Sequence, residues 1–215
     1  MSLMASRHRV AAAACVLVLL SRGEAAAQSP CELRVGSGAV GGSVGILGAE
    51  ADVDFGSAGE GLWSQSGTKS GRDVSAEFSV PIMPGWGARL DYGRGQLDVE
   101  REITATRPYV VLDRTRVGEV TMRHLTGAIV HALSPPGRLC GYLGVGGGLY
   151  QFDYAGRRAR NGGLMGLLGV EFGVGERSGL AFEIQLHAIH NDSEPPLKSE
   201  VVVMLKPAVL FRVHF

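Results

Sequence analysis

Along most of the chain, apolar and polar side chains alternate with period two, the mark of a half-buried strand. Residues 200–215 show it best. Val201, Val203, Leu205, Pro207, Val209, Phe211, Val213 and Phe215 form one face without charge. The other face carries Lys206, Arg212 and His214 among Val202, Met204, Ala208 and Leu210. The pattern recurs at 72–82, 86–94 and 180–190, and more weakly at 43–55, 117–133, 138–154 and 163–175. That predicts eight strands, each long enough for the ~9–11 residues of a tilted membrane-crossing strand. No 3.6-residue stripe competes with them, so the fold class is all-β.

The connections predicted between these strands alternate in length. Long ones fall at about 56–71, 95–116, 155–162 and 191–199, and short ones at Met83–Gly85, Ser134–Gly137 and Gly175–Gly179. Long loops on one side and short turns on the other suit an up-and-down antiparallel barrel. A turn centred near Met83 would pair Glu77 with Arg89 and Val80 with Trp86. A turn on Pro135-Pro136 would pair His131 with Cys140. In 138–154, Tyr150, Phe152 and Tyr154 are out of phase with Leu139, Leu143 and Val145, so a bulge at Gly146–Gly148 is expected to turn both sets outward. Phe55, Tyr92, Tyr150 and Tyr154 are then expected near one membrane surface, and Trp86, Phe172, Phe182 and Phe215 near the other.

Residues 1–27 read as a cleaved signal peptide: Arg7 and Arg9, then an apolar run Val10–Leu20, then Ala25-Ala26-Ala27. The run is shorter than the ~20 residues of a spanning helix. Residues 28–41 would form an N-terminal periplasmic segment and 42–215 the barrel. Cys31 and Cys140 remain after cleavage and are expected to form a disulfide in an oxidising compartment. The chain holds 21 basic and 21 acidic residues, a balance that argues against nucleic acid as a partner.

Alternation alone does not say which face looks outward. Uncharged faces along whole strands, alternating connection lengths and the closing Val209-Leu210-Phe211-Arg212-Val213-His214-Phe215 favour apolar side chains meeting lipid. On these features the chain resembles the OmpA/OmpX-type small outer-membrane β-barrels over nearly all of residues 38–215. The resemblance implies an eight-stranded antiparallel up-and-down transmembrane β-barrel in the bacterial outer membrane, with both mature termini periplasmic. It also implies that the terminal aromatic Phe215 is read by the barrel-insertion machinery.

With the apolar face outward, ionisable residues fill the lumen. By strand parity these include Glu50, Asp52, Asp54, Asp73, Glu77, Asp91, Glu119, Glu171 and Glu183, with Arg89, Arg123, Lys206 and Arg212 as bases and His187 nearby. An eight-stranded barrel is just wide enough for side chains to fill it, so ion pairs among Glu77, Arg89, Arg123, Glu171, Glu183, Lys206 and Arg212 are expected to plug it. A narrow channel is the competing reading. Arg94, Arg101, Arg114, Arg116, Arg157, Arg158 and Arg160 gather in the predicted outer loops. Arginine suits bidentate phosphate contacts, which makes lipopolysaccharide the natural partner.

A structural, adhesive or lipopolysaccharide-contacting role without catalysis follows. The alternative is a lipid A-modifying acyl hydrolase. His190, Ser193 and Glu200 could supply a base, a nucleophile and an acid. The region resembles the outer-membrane lipid A deacylases, which carry His-x-Ser-Asn on the seventh strand. Here the order is His190-Asn-Asp-Ser193, which sets the serine one position late. No metal cluster is seen, Gly144–Gly148 lacks the Lys-Ser/Thr of a phosphate loop, and no cofactor is expected.

Overall fold

The computed structural model describes residues 38–59, 62–106, 109–133, 139–191 and 201–215. The predicted signal peptide and Cys31 lie outside them. Eight antiparallel strands close into a barrel in sequence order. They are β1 (Ala39–Gly59), β2 (Leu62–Met83), β3 (Trp86–Thr106), β4 (Tyr109–Ala132), β5 (Leu139–Tyr154), β6 (Arg157–Gly173), β7 (Ser178–His190) and β8 (Val201–His214). β1 opens three residues before the expected boundary at 42, and Gly38 and Phe215 exchange two backbone hydrogen bonds of 2.9 Å where the ends meet.

The register sets the geometry. A row of cross-strand partners leaves β5 at Gly141 and passes through Val170, Phe182, Val209, Val44, Val74, Arg94 and Arg123. It returns to β5 at Gln151, ten residues higher. That stagger on eight strands tilts them by about 35–45° and leaves a lumen only as wide as the side chains within it.

Orientation follows the amphipathic pattern. Phe78, Leu90, Ile184 and Val209 lie on the outside, whereas Glu77, Arg89, Glu183 and Arg212 are buried within. Leu149 and Leu164 are 68% and 73% exposed. Such residues continue around all eight strands, far beyond the ~300–600 Å² apolar patch of a typical soluble protein. The belt is therefore a surface for hydrocarbon.

Several expectations are overturned. Residues 56–71, 95–116 and 155–162 are largely strand: β1 and β2 run to within two residues of each other, as do β3 and β4, and only Ala155 and Gly156 separate β5 from β6. Residues 192–200 lie outside the described set. β1–β4 span 21–24 residues against 13–17 for β5–β8. The four long strands thus rise as a wing beyond the closed ring. Among the described residues, β8 stops pairing with β1 at Glu50, and β5 stops pairing with β4 at Thr121.

The hairpin registers also differ. The β2–β3 turn is Pro84-Gly85, with Gly85 at φ 76°. It pairs Glu77 with Asp91 and Ser79 with Arg89 rather than Glu77 with Arg89. His131 pairs with Leu143, not with Cys140. No bulge interrupts β5. Its ladder with β4 runs unbroken from Tyr142 to Asp153, so Tyr150 and Phe152 point inward, 1% and 0% exposed.

Candidate functional site

The lumen holds two stacked layers. The lower one is ionic. Arg89 lies 2.5 Å from Glu183 and 3.0 Å from Glu77, and pairs also with Asp91 on its own strand. Arg212 pairs with Glu77, lies 2.7 Å from Glu171 and 3.5 Å from Glu183, and stands over the Tyr142 ring at 4.9 Å. His214 Nε2 is 2.7 Å from Glu171, and the Tyr142 hydroxyl donates to Glu183 at 2.8 Å. Glu171 and Glu183 thus share Arg212. Above them Lys206 Nζ is 2.6 Å from Asp73, whose second oxygen meets His124 Nε2 at 3.0 Å.

Inward positions of β7 form a directed chain. The Gln185 amide donates to Glu183 at 2.5 Å, so its carbonyl faces His187 and accepts from Nε2 at 3.1 Å. His187 Nδ1 is then left to accept from the Tyr150 hydroxyl at 2.7 Å. Period two places Glu183, Gln185 and His187 on one face, which makes the chain a direct product of strand geometry.

The upper layer is apolar. Leu47, Leu97, Val99, Val120, Met122, Tyr150, Phe152, Ile189, Val202 and Met204 pack into one cluster across the barrel. Polarity therefore inverts along single strands. On β3 the inward series runs from Arg89 and Asp91 to Leu97 and Val99, while the outward series runs from Leu90 and Tyr92 to Arg94 and Gln96. On β4, Thr126 and His124 give way inside to Met122 and Val120, while Leu125 gives way outside to Arg123 and Thr121. Below the inversion, apolar side chains meet lipid. Above it they meet one another, and polar groups face water.

That inversion corrects two assignments. Arg123 is exposed and faces outward, as does Glu119. β4 carries apolar residues on both faces, and the inward ones belong to the apolar layer. Of the other lumen candidates, Asp73, Glu77, Arg89, Asp91, Glu171, Glu183, His187, Lys206 and Arg212 point into the barrel, and the side chains of Glu50, Asp52 and Asp54 lie outside those described. Tyr142, His124 and Gln185 join them. Parity marks all three, but a neutral or weakly charged side chain on a mixed strand does not announce which face is the lumen.

The outer arginines stand on strands and a hairpin rather than on loops. Arg94, Arg101, Arg114, Arg116, Arg157, Arg158 and Arg160 are all exposed. Arg116 reaches Asp98 at 2.5 Å and Glu119 at 3.4 Å, and Arg114 reaches Glu102 at 2.9 Å. Arg158 donates to Asp153 at 2.7 Å. This bond, and then one from Gln151, hold the Asp153 carboxyl below the usual carboxylate range at the rim.

His190 is exposed at the upper end of β7. Ser193 and Glu200 lie outside the described residues. Cys140 is buried on β5, and its expected partner Cys31 lies outside the described residues. Among the described residues no group of three His, Cys, Asp or Glu side chains could hold a metal ion.

A closed ring of eight tilted antiparallel strands, apolar outside and ionic within, is the fold of small outer-membrane β-barrels. Solved structures share the fold. Neisserial surface protein A matches with a TM-score of 0.57 at 15% identity, covering 84% of this chain and 97% of that one. The outer membrane protein OprG from Pseudomonas aeruginosa matches with a TM-score of 0.55 at 13% identity, covering 83% and 95%. No protein-family model matches the sequence, and no curated protein sequence matches it either.

Proposed function

We propose that this protein resides in a bacterial outer membrane, with its wing and the Ala155-Gly156 hairpin at the cell surface and both termini in the periplasm. Its role is structural or adhesive, through arginine contacts with lipopolysaccharide, and it is not catalytic. The observation carrying this reading is the crowding of exposed Arg101, Arg114, Arg116, Arg157, Arg158 and Arg160 beyond the level where polarity inverts. Guanidinium groups there meet phosphate and sugar acids, and each can bind phosphate in bidentate fashion. The two packed layers of the lumen support a barrel that does not conduct.

The test is retention of lipopolysaccharide by the barrel in neutral-lipid nanodiscs. Replacing Arg101, Arg114, Arg157 and Arg160 by Gln should remove most of the bound material and flatten its salt dependence. Unchanged retention would remove the reading. An epitope placed after Gly156 should be reached by antibody on intact cells. Release of fatty acid from lipid A by the purified protein would favour the hydrolase at His190 and Ser193 instead.

Phe215 is exposed and stacks on Phe78 at 6.4 Å between centroids. Its deletion is expected to slow assembly by the insertion machinery. A Cys31–Cys140 disulfide would tie the N-terminal segment to β5, and a linked peptide pair in a non-reducing digest would establish it.

A further inference from the structure

Arg94 on β3 and Arg123 on β4 are direct cross-strand partners with both side chains outward. Residues so placed have Cβ atoms about 4.5–5.5 Å apart, and like charges there repel. Arg72 on β2 adds a third guanidinium. It pairs with Gln96, two residues above Arg94, and donates to it at 3.2 Å. Among the described residues no carboxylate lies within ion-pair distance of Arg94 or Arg123. The nearest outward acids are engaged: Asp153, which also feels Arg123, is held by Arg158, and Asp98 and Glu119 by Arg116.

The level of this pair is informative. One outward step below stand Tyr92 and Leu125, 58% and 43% exposed, at the upper edge of the apolar belt. One step above stand Gln96 and Thr121. The pair is therefore the first charged pair beyond the hydrocarbon, at the depth of lipid headgroups.

From this geometry we infer that Arg94 and Arg123 form a clamp for a lipid phosphate, with Arg72 beside it. The clamp rests on the proposed lipopolysaccharide contact and adds to it a specific site on the barrel wall. Two adjacent monocations match a phosphomonoester dianion better than the single charge of a phosphodiester. A phosphorylated glycolipid such as lipid A carries that group, with acyl chains that would lie along Tyr92, Leu125 and Leu149. Tyr92 would cover the sugar-proximal ends of the chains, where an amphipathic ring is at home.

The test uses the folded full-length barrel in phosphatidylcholine nanodiscs doped with lipid A, dephosphorylated lipid A or phosphatidylglycerol. Bound lipid is counted by native mass spectrometry. Wild type should retain lipid A over the dephosphorylated form and over phosphatidylglycerol. R94Q/R123Q should lose about tenfold or more of that retention, the worth of one or two charge-assisted hydrogen bonds. R94K/R123K should recover only part, because an ammonium cannot bind in bidentate fashion. Heat-dependent gel mobility verifies that each variant is folded. If R94Q/R123Q retains lipid A like wild type while the Arg101, Arg114, Arg157 and Arg160 variant loses lipopolysaccharide, the clamp is wrong and the broader reading stands. If neither set of substitutions matters, both fail. Equal retention of phosphatidylglycerol would overturn the phosphomonoester assignment.

Discussion

Tyr142 lies flat across Gly169, its direct partner on β6, so closely that a Cβ at residue 169 would stand 2.3 Å from the ring. The same ring supports Arg212 on its face and donates to Glu183 from its hydroxyl. A narrow lumen accommodates a large side chain only where its neighbour has none. Gly169→Val would push the ring off both partners and is expected to destabilise the barrel by about 1–3 kcal/mol, the range for overpacking. Urea unfolding from bilayers, followed by tryptophan fluorescence, measures it. A wild-type midpoint would show that the ring has another place to go.

Arg89 stands among Glu77, Asp91 and Glu183 with almost no exposure. Arg89→Ala leaves buried Asp91 without its cation, with Glu77 and Glu183 sharing Arg212 alone, and should cost about 3–5 kcal/mol. Arg158 binds Asp153 with more than half of its side chain in water. Arg158→Ala should cost under about 1 kcal/mol. Equal losses in the same unfolding assay would contradict the assignment of the lumen as a dry ionic layer.

Leu164 is 73% exposed and faces outward between Gly147 and Ala188. In a soluble barrel Leu164→Arg would be harmless. Against hydrocarbon it should cost about 2–4 kcal/mol. Arg160, on the same face four residues away, should tolerate Arg160→Lys with little change in stability. An unaffected Leu164→Arg barrel in lipid would argue that the belt does not face a membrane.

The β5–β6 hairpin turns on Ala155 at φ 50° and Gly156 at φ 80°. A two-residue turn with both central residues left-handed favours Asn-Gly. Alanine there carries a steric penalty that asparagine largely avoids. Ala155→Asn should raise stability by about 0.5–1 kcal/mol. Its effect should be confined to this hairpin, and hydrogen exchange of the Tyr154 and Arg157 amides would show whether it is.

What the amino-acid order determines alone is the fold and its orientation. Period-two alternation needs only that one face of each strand meets an apolar medium, and that holds in the lower barrel. Alternation therefore sets Phe78, Leu90, Ile184 and Val209 on one face and Glu77, Arg89, Glu183 and Arg212 on the other, and the lack of charge along whole strands and the closing segment to Phe215 turn the first face outward. What the tertiary structure alone decides is where that rule stops. In the wing, β4 from 110 to 117 is exposed on both faces, so no alternation distinguishes its strands from loops. Higher in the ring the medium changes sides. Met122, Tyr150 and Phe152 turn inward to pack together, and Arg123 turns outward beside Arg94. A residue's parity is local, but the medium on each side depends on its height along the barrel axis. That height is set by the ten-residue stagger around eight strands, a property of the closed ring and of no single segment.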